Sequence, residues 1–240
     1  MTIGVMNNIK RSSAVTFACV AVALFASCQY NQQQTETSVV YAPDAIALGR
    51  FPVSETWNTH NLYSAFSISV PNTIEKSNSG DRYSRQLNNM GLQRNNGIVI
   101  FQQKTLNRRS MANADEHYCR ILVNYERANM GDLLHSYETD VIDADTRAWL
   151  LENVQSNLDY SQQLLSTPSY QWVDIDGTKA IRVKYRRSGN DGNTTACAMY
   201  YLFNYDEMAF VMTAYREQES DLWQTDMENV IRTFKWSHSK

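Results

Sequence analysis

The most strongly charged pattern in the 240-residue chain is the run Lys179, Arg182, Lys184, Arg186 and Arg187. If this stretch is a strand, its period of two sets Arg182, Lys184 and Arg186 on one face and Ile181, Val183 and Tyr185 on the other. Such a row could hold an anionic partner: a phosphorylated glycan, a lipid headgroup or an acidic protein. The same row would also serve as a solvated sheet face, as a charge-protected edge or as a contact for an acidic helix.

Acidic residues gather further upstream, as Asp132, Glu138, Asp140, Asp143, Asp145, Glu152 and Asp159, against the single base Arg147. The spacing Asp140-x-x-Asp143-x-Asp145 offers oxygens to calcium. A calcium loop of the EF-hand kind, however, needs Gly at its sixth and Glu at its twelfth position, where this chain has Asp145 and Leu151. A two-carboxylate hydrolase site would need a separation in space that the sequence does not supply. His117 and Cys119 share a strand face and could give zinc two ligands, but catalytic zinc takes three from the protein. His135 and Ser136 are neighbours, about 100° apart on a helix, and cannot act as base and nucleophile. Tyr200, Tyr201, Tyr205 and Tyr215 crowd two late segments, where aromatic rings could stack on a ligand or fill a core.

HExxH, GxSxG, GxGxxG, GxxxxGK[ST] and CxxC are all missing from the chain. The sequence therefore names no catalytic residue, no metal set and no cofactor. With 22 Lys+Arg against 25 Asp+Glu and a formal net charge of −3, it has no basic footprint for nucleic acid. At 43% hydrophobic and 11% aromatic residues, with 9 Gly and 4 Pro, it reads as one globular domain with a tail.

The tail is N-terminal. Lys10 and Arg11 precede an apolar run from Ala14 to Phe25, which rises only about 18 Å as a helix and falls short of a bilayer. Ala26 and Ser27 follow, then Cys28, the order of a signal peptide. Phe25-Ala26-Ser27-Cys28 resembles a bacterial lipobox, with Phe25 where Leu is usual. This implies cleavage of residues 1–27 and acylation of Cys28, which places the protein in the bacterial cell envelope, lipid-anchored. The first acid after Cys28 is Glu36, which favours the periplasmic face over the cell surface. Removing Lys10 and Arg11 leaves the mature chain more acidic, so lipid rather than a polybasic patch would be the membrane contact. Residues 28–61 read as a polar tether and lead-in segment, and 62–240 as the domain. Cys119 and Cys197 remain, either as one disulfide contributing about 4 kcal/mol or as two buried thiols.

The elements that must position these groups follow from periodicity. Ala65 to Val70 alternates and stops at Pro71; Gly97 to Phe101 and His117 to Tyr125 are further strands. Asp132 to Thr167 lacks Gly and Pro and predicts one long helix, or two broken near Asp143 with a restart cap at Asp145-Thr146. Its apolar face is Leu133, Leu134, Tyr137 and Val141, continued by Ala148, Leu151, Val154 and Leu158. Asp176-Gly177 between Gln171–Ile175 and 178–187 is a strong hairpin signal. Strands Thr195 to Phe203 and Met208 to Tyr215 follow, and then a helix capped by Ser220 with Trp223, Met227, Val230, Ile231 and Phe234 on one face. The order predicts an α+β domain, a mainly antiparallel sheet flanked by helices.

Across residues 62–236 the chain resembles the PsbP-like family. The likeness lies in FSISVPNTIEK, the central helix, the hairpin WVDIDGTKAIRVKYRR and the closing MENVIRTFKW. That family includes photosystem extrinsic subunits, a Ran-binding import factor and bacterial lipoproteins of unknown role. The resemblance implies an α/β/α sandwich and a non-enzymatic binding or assembly role, and transfers no functional residue. The long stretch Ser77 to Asn96 and the long Gly-free helical region depart from its pattern. The expected function is thus a lipid-anchored, non-catalytic binding or assembly protein whose partner is an envelope protein or a glycan. A glycan- or small-molecule-binding lipoprotein using exposed aromatics beside the basic strand, and a carboxylate-dependent hydrolase, are the alternatives.

Overall fold

Asp176 and Gly177 both adopt positive φ, 51° and 85°, the backbone that a two-residue hairpin of matching twist demands. They fold β7 (Ser169–Ile175) back onto β8 (Thr178–Ser188). β8 continues antiparallel into β9 (Thr194–Asn204), and a turn at Tyr205 returns the chain as β10 (Glu207–Arg216). These four strands are the middle of an eight-stranded sheet. The computed structural model describes residues 45–77, 97–104, 117–127, 141–189 and 192–238.

The sheet is completed by β1 (Ile46–Ala47), β4 (Ile74–Lys76), β5 (Val99–Gln103) and β6 (Cys119–Arg127), in the order β1-β7-β8-β9-β10-β6-β5-β4. Among the described residues only β1 against β7 is parallel. A three-stranded sheet, β11-β3-β2, joins β2 (Trp57–Leu62), β3 (Phe66–Pro71) and the closing β11 (Lys235–Trp236). The fold is α+β and mainly antiparallel, as the element order predicts. β1 and β2, within the expected lead-in segment 28–61 and its junction with the domain, pair into the large and the small sheet respectively.

Strand alternation divides the apolar residues between two cores. On one face of the large sheet Cys119, Ile121, Val123, Tyr200, Leu202, Ala209 and Val211 pack beneath the small sheet and α2 (Ser220–Arg232). α2 contributes Trp223, Met227, Val230 and Ile231, the face expected for it. Ser220 is its first residue, not its cap, because the short 3-10 turn Glu217–Glu219 leads straight into it. Phe66 is fully buried here between Tyr63, Tyr125, Phe234 and Trp236, with ring centroids 4.9 to 6.3 Å away.

On the opposite face Ile181, Val183, Cys197, Met199, Tyr201 and Phe210 pack against α1 (Ala144–Ser156). α1 differs from expectation at both ends. Asp143 is its cap, its Oδ1 accepting from the Thr146 amide at 2.7 Å, so the helix starts one residue before Asp145. It stops at Ser156 because residues beyond Asn157 are drawn into strand-like pairing, Leu164 opposite Arg187 and the Leu165 amide on the Arg186 carbonyl. Its buried stripe is Thr146, Leu150 and Val154, while Ala148 is exposed and Leu151 only partly covered. Adjacent Leu150 and Leu151 fit two different stripes, and packing on Tyr201 through Trp149 selects the first. Residues 132–140 of the expected helical region lie outside the described residues.

Candidate functional site

β8 alternates as its sequence dictates, so Ile181, Val183 and Tyr185 enter the core under α1 while Arg182, Lys184 and Arg186 project to the α2 side. Strand register carries each cation into a row. Arg186 lies opposite Ala196, which pairs with Tyr215; Lys184 lies opposite Ala198, which pairs with Thr213; Arg182 lies opposite Tyr200, which pairs with Val211. In the first two rows the middle position is an alanine, and the missing side-chain volume leaves a depression beside α2.

That depression is a groove of about 330 Å³. Ala196, Ala198 and Thr213 form its floor, with Tyr200 and Tyr215 at its sides. Lys184 and Arg186 stand on one wall with the hydroxyl residues Ser166, Thr167 and Ser169, and Gln224, Met227 and Glu228 of α2 on the other. The wall of hydroxyls is fixed by Ser166, whose Oγ accepts from the Arg186 amide at 2.9 Å. Burial pushes the Tyr200 phenol up to about 12 although Arg182 opposes it, and burial together with Glu228 and Glu217 raises that of Tyr215. Both phenols are therefore neutral hydrogen-bonding groups at physiological pH.

The three cations share a face but do not form a bare ridge. Lys184 Nζ lies 3.7 Å from Glu228 Oε1, Arg186 pairs with Glu217, and Arg182 donates to Gln171 Oε1. Arg182 lies outside the groove lining. The partners come from α2, the turn before it and β7; residues 132–140 of the acidic region, one of the contacts considered from the sequence, lie outside the described residues. The pairs are solvent-facing: the side chains of Lys184 and Glu228 are 44% and 50% exposed. Ion pairs of that kind contribute about 0–1 kcal/mol, so an incoming anion can replace either carboxylate at little cost.

The cysteines do not bridge. Cys119 and Cys197 are buried free thiols. Cys119 lies in the core under α2 and Cys197 in the core under α1, on strands separated by β10, so the sheet itself stands between them. Burial pushes the Cys119 thiol up to about 12 and raises that of Cys197, which leaves neither as a nucleophile. Cys28 lies outside the described residues, as do His135, Ser136 and Asp140. His117 Nδ1 sits 3.5 Å from Glu219, and among the described residues no three His, Cys, Asp or Glu side chains converge on a metal position. Asp143 is consumed as a helix cap. Glu228 is the one carboxylate among the described residues lining the groove, so a two-carboxylate hydrolase arrangement is not assembled there.

Of the tyrosines, Tyr201 packs on Trp149 and Phe210 in the other core and Tyr205 stands exposed at a hairpin turn. Sequence reasoning missed Ala196, Ala198, Thr213 and Glu228. The available signal was the pair of alanines at alternate positions of a strand whose other positions are large, which marks a shallow place on one sheet face.

No protein-family model and no curated protein matches the chain. Among solved structures it is similar to cyanobacterial PsbP from Synechocystis, with TM-score 0.47 and 12% identity over 77% of this chain and 94% of that one. It is also similar to a Pseudomonas aeruginosa protein of unknown function, with TM-score 0.40 and 13% identity over 74% and 94%. The Saccharomyces cerevisiae Ran-binding protein Mog1p gives TM-score 0.36 and 12% identity over 76% and 96%.

Proposed function

We propose that this chain is a lipid-anchored, extracytoplasmic, non-catalytic binding protein of the bacterial cell envelope, and that its ligand is a small acid-bearing molecule, such as an acidic glycan unit, seated in the α2 groove. The observation that carries this reading is the groove itself. About 330 Å³ lies within the usual range of small-molecule sites, whereas protein partners dock on broader, flatter surfaces. Its lining pairs two displaceable cations with tyrosines and hydroxyls, the mixture that orients a polar ligand carrying one anionic group. The signal-peptide layout and Cys28 support the envelope address.

The test is equilibrium binding of glucuronate and glucose by the purified full chain, alongside a Lys184→Gln/Arg186→Gln variant. Saturable binding of the acid but not of the neutral sugar, weakened about tenfold or more in the variant, supports the proposal. Equal binding of both proteins, or none by either, removes the groove from consideration. Cross-linking in intact cells with a Cys28→Ala control then tests the anchor: recovery in the membrane fraction that the control loses supports it, and unchanged fractionation refutes it.

A further inference from the structure

A second basic cluster lies on the opposite face of the large sheet, where Tyr185 and Cys197, whose strand positions also border the groove, turn into the core under α1. Register sets Arg187 of β8 opposite Thr195 of β9 and Thr195 opposite Arg216 of β10, while the Arg216 amide donates to the Tyr118 carbonyl at 3.2 Å. One row inward follow Tyr185, Cys197, Ala214 and Arg120. Three guanidiniums thus reach into one end of this face, and the small Ala214 stands between two of them.

Their partners are unequal. Arg216 meets Glu219 at 3.4 Å, but Glu219 also accepts from the Tyr118 amide at 3.0 Å and Trp223 Nε1 at 2.9 Å and faces His117. It is fully subscribed. Arg187 is only 7% exposed, yet among the described residues it faces no carboxylate. Its Nη1 donates to the Ser188 carbonyl at 3.3 Å, its Nη2 reaches the Tyr118 hydroxyl at 3.5 Å, its guanidinium also donates to the neutral Cys197 thiol, and the Tyr185 phenol lies beside it. Arg120 lies over the Tyr118 ring, 5.6 Å from its centroid. The Nε–H groups of Arg120 and Arg187 are both buried without an acceptor. A buried guanidinium without a counter-charge is unfavourable, and here two guanidiniums flank one tyrosine, Arg187 at its hydroxyl and Arg120 over its ring, each with an Nε–H that lacks an acceptor.

We propose that this end of the sheet binds a small inorganic oxyanion, phosphate or sulfate, between the Nε edges of Arg120 and Arg187, with the Tyr118 hydroxyl as a further donor. The planar guanidinium presents its Nε–H and one Nη–H side by side to two oxygens of such an anion. Tyr118 and Arg120 are only partly buried, so the anion enters from their side.

Thermal unfolding of the purified full chain tests it, with sodium phosphate or sulfate replacing chloride at constant ionic strength. At an anion concentration ten times its Kd, Tm should rise by about 3–6 °C. Arg187→Met should abolish that rise without lowering Tm in chloride, since it removes a charge that chloride leaves uncompensated. Arg120→Gln should demand about tenfold more anion for the same rise, and reads out the site even if Arg187→Met does not fold. A Lys184→Gln/Arg186→Gln variant should keep the rise, which separates this site from the groove. A wild-type Tm that is the same in phosphate and chloride overturns the proposal, and so does a rise that survives in both Arg187→Met and Arg120→Gln.

Discussion

Lys184 of β8 and Glu228 of α2 meet across the groove at 3.7 Å, a link between sheet and helix that closes the depression left by Ala196 and Ala198. Both ends are about half exposed, so the pair adds little to stability. Lys184→Gln should therefore change unfolding free energy by less than about 1 kcal/mol in a urea titration. Glu228→Gln should do the same, and by freeing Lys184 it should tighten binding of an acidic ligand where Lys184→Gln weakens it. Opposite signs in the two binding curves are the expected outcome; equal signs would mean the pair acts only as a brace.

The β7–β8 hairpin depends on Gly177. Its φ of 85° is left-handed backbone, and a Cβ built there meets nothing within 4 Å, so a substitution costs backbone strain and no clash. The turn is also held by Asp174, whose Oδ1 accepts from the Gly177 amide at 2.8 Å. Gly177→Ala should destabilise by about 1–2 kcal/mol, seen as a lower urea midpoint with unchanged slope. Gly177→Asn should lose less, because asparagine tolerates this conformation better.

These two sites differ in how far they were legible in the sequence. Asp176-Gly177 announces its turn because only a few residues accept positive φ twice in succession, and the strands around it then follow by alternation. The shared face of Arg182, Lys184 and Arg186 was equally legible, being a property of one strand. Their partners were not: Glu217, Glu228 and Gln171 meet them through helix docking and strand pairing, which local spacing does not encode. The choice between a disulfide and two buried thiols stayed open for the same reason, since nothing local says that Cys119 and Cys197 point to opposite sides of one sheet. α1 was misjudged by one residue because Leu150 and Leu151 are equally apolar, and only the packed partner decides between them.

Cys119 and Cys197 should behave as inert thiols. Both are buried, and burial raises both above their ordinary value, so the thiolate that reacts is scarce. In a chain carrying Cys19→Ala and Cys28→Ala, a thiol reagent at pH 8 should label neither residue in the folded protein and both in concentrated urea. Reducing agent should leave Tm unchanged. A reductant-dependent Tm, or two thiols missing from the urea count, would reinstate a bridge.

Stability should be limited by different groups at the two ends of the pH scale. On the alkaline side, burial pushes Tyr63, Tyr200 and Cys119 up to about 12 in the folded chain. The unfolded chain then loses these protons first, so ν for the unfolded state is the smaller and the slope of stability against pH is negative. The contribution is complete below the ordinary thiol and phenol values, about 9 to 10, and falls away as pH rises toward 12, by up to about 1.4 kcal/mol per unit for each group. On the acid side His60, partly buried against Phe101 at 4.8 Å and near Lys76, has its pKa lowered by burial first and by the lysine second. Here the unfolded chain binds the proton more readily, so this contribution is present above about 6.5 and is lost as pH falls through the depressed folded value. Urea midpoints measured from pH 5 to 11 should form a plateau from about 7 to 9 with a steeper alkaline limb, and His60→Phe should flatten the acid limb alone. A fraction of the tyrosinate absorbance should appear only with the alkaline unfolding transition, and Tyr63→Phe and Tyr200→Phe should each reduce that late fraction; a late fraction unchanged in both variants would show that Tyr63 and Tyr200 are open to water.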